Sequence, residues 1–316
     1  MTDFSNVFEM PRAARESACV VALHCSLGSG RQWKALGDEL KRSHRFFAPD
    51  ISGYGANGCA LDLPLTLAEE IRAIGDTLND AEGPIHLVGH SYGGAIAFAI
   101  ATRFPFAHRL RSLTLIEPVL PTLLSDSEAD RRLYARFAQV ARDVSEDIWN
   151  GSVLEAIDQF MAFWAGSAPQ DPLTEGARAR MIERAHKLAF DFQAAFAEQN
   201  VAEAAASLRV PTLLLSGGTS PYVTQRIVER LGEIIGGAEI RHLPDAGHML
   251  PLTHAASVNS LIAEHIARAD ELATAPLAAP DSAGVNRRRG EGGTSWRLAR
   301  MRAFWYRLRP KPGTIC

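Results

Sequence analysis

The chain predicts an α/β fold: a mostly parallel central sheet with helices on both faces and an all-helical cap inserted into it. Three observations predict it. Short apolar runs of strand character alternate with helical patterns over residues 19–117. Residues 119–208 read as helices only. From Val210 the alternation resumes. Strands that alternate with helices pair in parallel, and the helices cover both faces. A helical stretch between two such strands is an insertion, most simply one that caps the sheet's carboxyl edge.

In chain order, residues 1–18 show no convincing period and are expected to be irregular. Cys19-Val20-Val21-Ala22-Leu23 is a buried-strand run. It ends in His24-Cys25-Ser26-Leu27-Gly28-Ser29-Gly30, a loop rich in small residues. Residues 31–42 put Trp33, Leu36 and Leu40 on one helical face. Residues 45–50 form a second strand that leads into Gly53-Tyr54-Gly55. Thr66-x-x-Glu69 is a capping box. It opens a helix with Leu67, Ile71, Ile74 and Leu78 inward. Residues 85–88 are the central strand, and a helix through Ala97, Ile100 and Phe104 follows it. Residues 113–117 are the next strand.

Within the insertion three faces stand out: Leu133, Phe137, Val140, Val144 and Ile148; Ile157, Phe160 and Trp164; Met181, Leu188, Phe192 and Phe196. Strands at 211–216 and 238–243 then alternate with helices at 224–235 and 253–267. The expected organisation is an N-terminal segment 1–18, a core of 19–118 and 209–270, a cap of 119–208 and a tail of 271–316.

The chemistry centres on Gly89-His90-Ser91-Tyr92-Gly93. An apolar strand runs straight into it and a helix runs straight out. That is the context in which Gly-x-Ser-x-Gly carries meaning. A serine on so sharp a turn has crowded neighbours, so the positions two before and two after must be nearly free of side chain. The turn lifts the Ser91 hydroxyl above the sheet. It also leaves the Tyr92 N–H at a helix N-terminus, where unpaired donors and the helix dipole favour a developing oxyanion. A serine hydroxyl is a poor nucleophile at neutral pH and needs a base. His248, in Pro244-Asp245-Ala246-Gly247-His248, sits on a loop between the last strand and the last helix.

On these residues the chain resembles the α/β-hydrolase superfamily over roughly residues 19–270. Ser91 lies at the position of the family's nucleophile and His248 matches the Gly-His of its last loop. The resemblance implies the α/β-hydrolase fold. It also makes His24-Cys25-Ser26 the oxyanion loop, with the Ser26 and Tyr92 N–H groups as donors. Cys25 replaces the usual glycine and reads as a small packed side chain rather than a second nucleophile.

The acid departs from the commonest pattern. The loop after strand 211–216 reads Gly217-Gly218-Thr219-Ser220, with serine where aspartate is usual. A second placement known in the superfamily falls on Glu117, in Ile116-Glu117-Pro118. The open alternatives are Glu117 as the acid, or a Ser–His dyad with Ser220 orienting the ring. His90 is expected to pack against the sheet, and Asp50 to brace the Gly53-Tyr54-Gly55 turn.

The expected activity is acyl transfer to water through an acyl-enzyme on Ser91. The substrate is an ester, thioester or lactone with a small-to-medium apolar acyl or aryl group, suggested by the aromatic residues of the cap. Hydrolysis of a carbon–carbon bond and perhydrolysis stay open within the same resemblance. A non-catalytic ligand-binding protein on this fold is the rival from another class. The residues show no metal-ligand spacing, Walker loop or dinucleotide fingerprint, so no cofactor and no metal are expected.

The 316 residues are 47% hydrophobic and 22% charged, ordinary for a globular enzyme. No apolar run is long enough for a spanning helix. The first 18 residues hold acids and no apolar h-region, and the four cysteines form no paired framework. Both point to a cytoplasmic protein with free thiols. Residues 287–316 hold nine Lys/Arg against Glu291, and the whole chain is only −3. The tail is thus a basic extension, within which 295–309 can form an amphipathic helix offering weak membrane or protein contact. A nucleic-acid role fits poorly, because these basic residues lie outside any recognisable module. The oligomeric state is left open.

Overall fold

The computed structural model describes residues 18–57, 64–103, 106–125, 127–167 and 174–274. The expectations for residues 1–17 and for the tail from 275 onward, its amphipathic helix included, lie outside the described residues.

Six strands form one sheet in the order β2-β1-β3-β4-β5-β6, every neighbouring pair parallel. They are β1 (Cys19–Leu23), β2 (Arg45–Phe47), β3 (Ile85–His90), β4 (Leu110–Ile116), β5 (Thr212–Gly217) and β6 (Glu239–Leu243). Of the four inner strands, β1, β3 and β5 are buried at every position, and β4 at all but its first two. A parallel strand covered on both faces reads in sequence as a continuous apolar run.

Helices α1 (Lys34–Leu40), α2 (Leu67–Ala73), α3 (Gly75–Asp80) and α4 (Tyr92–Thr102) connect the first four strands. Thr66 caps α2 by accepting the Glu69 N–H at 3.2 Å, and the Glu69 carboxylate reaches back to the Leu65 N–H at 2.8 Å. The single helix expected from Leu67 to Leu78 is two, because Ile74 leaves the helical region at φ −97°, ψ 8°, just before Gly75. Between β4 and β5 lie α5 (Arg131–Trp149), α6 (Val153–Ala165), α7 (Glu175–Glu183), α8 (Ala185–Ala197) and α9 (Val201–Ser207). No strand interrupts them among the described residues. Finally come α10 (Tyr222–Ile234), the single turn α11 (Leu250–Thr253) and α12 (Ala255–Thr274).

The period-two alternation of β1 divides the core. Val20 and Ala22 pack with Trp33, Leu36, Val258 and Ile262, under α1 and α12. Val21 and Leu23 join the opposite cluster, which runs through α4 into Phe137, Val144, Phe160 and Phe192 of the helical insertion. The insertion therefore shares a core with the sheet. Arg226 of α10 also holds Asp130, just before α5, at 2.8 and 3.2 Å. At the sheet's amino edge, Asp270 of α12 accepts from Arg111 at 2.9 Å and bonds the rings of His44 and His86. That partly buried clamp, in which only the His86 ring is fully enclosed, lies beyond the expected helix end at 267. All strands being parallel, the carboxyl ends of β1, β3, β4, β5 and β6 open on one edge, and the expected site residues follow them.

Candidate active site

The β3–α4 turn is as tight as its sequence requires. A Cβ on Gly89 would lie 2.4 Å from the Gly93 carbonyl oxygen, and one on Gly93 would lie 2.3 Å from that of His24. Both are closer than any real carbon–oxygen contact. The glycines let the turn pass between its own helix and the end of β1. Ser91 takes φ 56°, ψ −119°, a strained conformation for a residue with a side chain. The Ser91 N–H donates to the Ile116 carbonyl at 2.9 Å, and the Ser91 carbonyl accepts from Val119 at 3.1 Å. The strained residue is thus stitched to the β4 end on both sides.

Three side chains far apart in sequence meet there. The Ser91 hydroxyl donates to His248 Nε2 at 2.9 Å. His248 Nδ1 donates to Glu117 Oε2 at 2.6 Å. Glu117 Oε1 accepts the Gly217 N–H at 2.8 Å. Because the carboxylate accepts on both oxygens, Nδ1 carries the ring proton and Nε2 is left facing the hydroxyl. Ser91 and His248 are each 4% exposed and Glu117 is fully buried. Glu117 is itself at φ 42°, its N–H held by Leu215 at 3.1 Å. Ser220, the alternative orienting group, keeps its hydroxyl buried without a partner among the described residues.

Two further groups fix the imidazole. His90 Nε2 donates to the His248 carbonyl at 2.8 Å, while Gln32 donates to His90 Nδ1 at 3.1 Å. Burial holds the His90 ring well below the ordinary histidine range, hence neutral. His90 is the buried last residue of β3, and its grip on the loop of His248 was not legible in the sequence. Trp164 of α6 stacks on the His248 ring at 4.2 Å between centroids.

Of the two residues expected to supply oxyanion donors, Tyr92 opens α4, so its N–H has no intrahelical acceptor. Ser26 lies on the turn after β1 and lines the same cavity as Ser91 and Tyr92. His24 shapes that turn. Its Nδ1 donates to the Cys25 carbonyl at 2.7 Å and its Nε2 accepts the Ile51 N–H at 2.9 Å. Burial lowers its pKa to about 4. The Cys25 thiol donates to Gln32 at 3.2 Å, and burial pushes its pKa up to about 12. An un-ionised thiol is a poor nucleophile, which agrees with a packed role. Asp50 accepts the Gly30 and Ala56 N–H groups at 2.7 Å each, bracing the Gly53–Gly55 turn.

The cavity over Ser91 is walled by Val119, Phe160, Trp164, Leu188 and Phe192, with Asp191 at its polar end. It measures about 10 Å³, scarcely room for one water. Among the described residues no helix is long and apolar enough to cross a membrane.

A family model described as alpha/beta hydrolase fold matches residues 19–255. Lipase LipV of Mycobacterium tuberculosis is 33% identical over 104 residues, a match covering 33% of this chain and only 38% of LipV. The 2-hydroxymuconate semialdehyde hydrolase of Pseudomonas sp. is 26% identical over 264 residues, covering 76% of this chain and 83% of that one. Among solved structures, MenH from S. aureus aligns with a TM-score of 0.66 at 17% identity, over 80% of this chain and 95% of its own, a likeness of fold.

Proposed function

The chain belongs to the alpha/beta hydrolase fold family, and on that premise we propose that it is a serine hydrolase acting through an acyl-enzyme on Ser91. Its hydrolase relatives support the coarse class. The one observation that carries the finer reading is the continuous hydrogen-bond chain from Ser91 through His248 to Glu117. The Ser91 oxygen attacks the substrate carbonyl carbon while His248 Nε2 takes its proton. Glu117 stabilises the imidazolium so formed and holds its orientation. The Ser26 and Tyr92 N–H groups receive the tetrahedral oxygen. Such donors are worth roughly 3–4 kcal/mol each when removed singly. The imidazolium returns its proton to the leaving group. Water then repeats the sequence on the acyl-enzyme and frees the acid.

The apolar wall favours a small acyl or aryl group on an ester, thioester or lactone. A second reading, hydrolysis of a carbon–carbon bond, draws support from the likeness to 2-hydroxymuconate semialdehyde hydrolase over most of both chains. A non-catalytic binding protein would have no use for a serine strained into hydrogen-bond contact with an oriented imidazole.

The test is a fluorophosphonate probe with peptide mapping, beside a panel of p-nitrophenyl esters, lactones and vinylogous diketones. A Ser91 adduct, and turnover lost in Ser91→Ala, are expected. A folded protein that neither labels at Ser91 nor turns over any member of the panel would overturn the reading. The preferred member of the panel separates ester from carbon–carbon cleavage.

A further inference from the structure

A buried ammonium ties the helical insertion to both residues that supply the oxyanion donors. Lys187 of α8 is 2% exposed. Its Nζ donates to Glu70 Oε1 of α2 at 2.6 Å and to Asp191 Oδ1, one turn further along its own helix. Each carboxylate then holds one oxyanion residue by its side chain. Asp191 Oδ2 accepts from the Ser26 hydroxyl at 2.5 Å and from Tyr54 at 2.6 Å. Glu70 Oε1 accepts from the Tyr92 hydroxyl at 2.9 Å. The ammonium also sits over the rings of Tyr92 and Tyr54, 4.9 and 5.5 Å from their centroids. Among the described residues Lys187 is the only cation in ion-pair distance of either carboxylate.

Such a cluster is costly. Burial raises the Asp191 carboxyl above its usual range and lifts Glu70 to about 7, with Lys187 only partly opposing it. Apolar residues of similar size would hold the insertion down at least as well. The cost falls where it has a use, because oxyanion donors must be fixed to a fraction of an ångström before the charge develops.

We propose that Lys187 is a positioning residue that fixes the Ser26 and Tyr92 N–H groups through Asp191 and Glu70. The inference rests on the serine-hydrolase reading and adds to it that the oxyanion hole is braced from the insertion. Lys187→Met keeps an unbranched side chain, one atom shorter, and removes the charge. It should lower kcat and the rate of Ser91 phosphonylation by about tenfold or more, with KM within about threefold. Lys187→Arg should recover part of the loss. A merely structural role would instead lower the melting temperature, or raise KM, with phosphonylation of the folded fraction unchanged.

If Lys187→Met does not fold, Ser26→Ala and Tyr92→Phe decide the question. Each cuts one tether and leaves the buried charges and both N–H groups in place. A several-fold fall in kcat at constant KM is expected from each. A parent that labels, with folded variants labelling and turning over equally fast, overturns this inference alone. A parent that does not label overturns the serine-hydrolase reading and this one with it.

Discussion

Glu117→Gln bears hardest on the proposed chemistry. It is nearly isosteric and leaves a side chain with one accepting end and one donating end. The surroundings decide which end goes where. Oε1 accepts the Gly217 backbone N–H at 2.8 Å, and Oε2 accepts from His248 Nδ1 at 2.6 Å, with the group fully buried. A backbone N–H is always a donor, so the amide oxygen must turn to Gly217 and the NH₂ must face His248. Nδ1 then has to accept, the ring proton moves to Nε2, and an N–H points at the Ser91 hydroxyl. The lone pair that takes the serine proton is gone. The equivalent acid-to-amide change in a serine protease triad costs about 10⁴-fold in turnover, close to 5.5 kcal/mol. We expect a fall of about 10³–10⁴-fold in kcat with KM within about threefold. Hydrolysis of a short p-nitrophenyl ester, measured against the Ser91→Ala baseline with melting curves to confirm folding, gives the number. A folded Glu117→Gln protein within tenfold of the parent would refute the tautomer argument and return the orienting role to another group, Ser220 first.

Three other outcomes follow from the same structure. Gly93→Ala should yield insoluble protein or lose more than about 3 kcal/mol, since its Cβ meets the backbone of His24 and Leu23 at 2.3–2.7 Å; Gly75→Ala, with nothing within 4 Å, is the neutral control, and equal melting temperatures would discount the close passage of the turn. Phe192→Leu removes part of the wall opposite Ser91 and should lengthen the preferred acyl chain by about two carbons, read from kcat/KM across a p-nitrophenyl ester series; an unmoved optimum would place the acyl group elsewhere. Burial lowers the pKa of His86 from 6.5 to about 4, so the folded state binds fewer protons than the unfolded one between those values, and its contribution is complete above pH 6.5 and lost on acidification toward 4. His86→Gln should therefore shrink the stability difference between about pH 7.5 and pH 5 by on the order of 2 kcal/mol in urea titrations, and an unchanged difference would assign the acid limb to other groups.

What the sequence discloses depends on how local the cause is. Ser91 is legible because its constraint is steric and lies within two residues on either side, at Gly89 and Gly93. His248 is legible because it sits on the loop between the last strand and the last helix and matches the Gly-His that the family resemblance places there. The insertion shows as a change of rhythm, and its apolar faces at Phe137, Phe160 and Phe192 are the ones buried. Lys187 and Asp191 were not legible. They flank the apolar positions 188 and 192 on α8 and read as the edge of a solvated face. Their burial is decided by Glu70, 117 residues away in sequence, and no helical period carries that information. Asp270 is similar, since its partners at 44, 86 and 111 come together only once the sheet has formed. The break at Ile74 had a local sign in Gly75, which the apolar period through Leu78 outweighed.

The placement of the carboxylate shows how the sheet tolerates moving a group by one strand. β4 and β5 are neighbours in register, Ile116 beside Leu215. Residues just past the two strand ends therefore stand about 5 Å apart across the ladder. The His248 loop follows β6, on the far side of β5. A carboxylate at the end of β4 must cross that extra strand spacing to reach the ring. Glutamate, one methylene longer than aspartate, is suited to the crossing, and the positive φ at Glu117 turns the chain over the sheet edge. Position 217 completes the path. A Cβ there would lie 2.3 Å from the Ala246 carbonyl, so glycine lets the His248 loop close down on β5. Its N–H holds the second carboxylate oxygen at 2.8 Å. Gly217 and Glu117 thus act together, and with the carboxylate arriving from β4, the loop after β5 can carry Ser220 where an acid would otherwise stand.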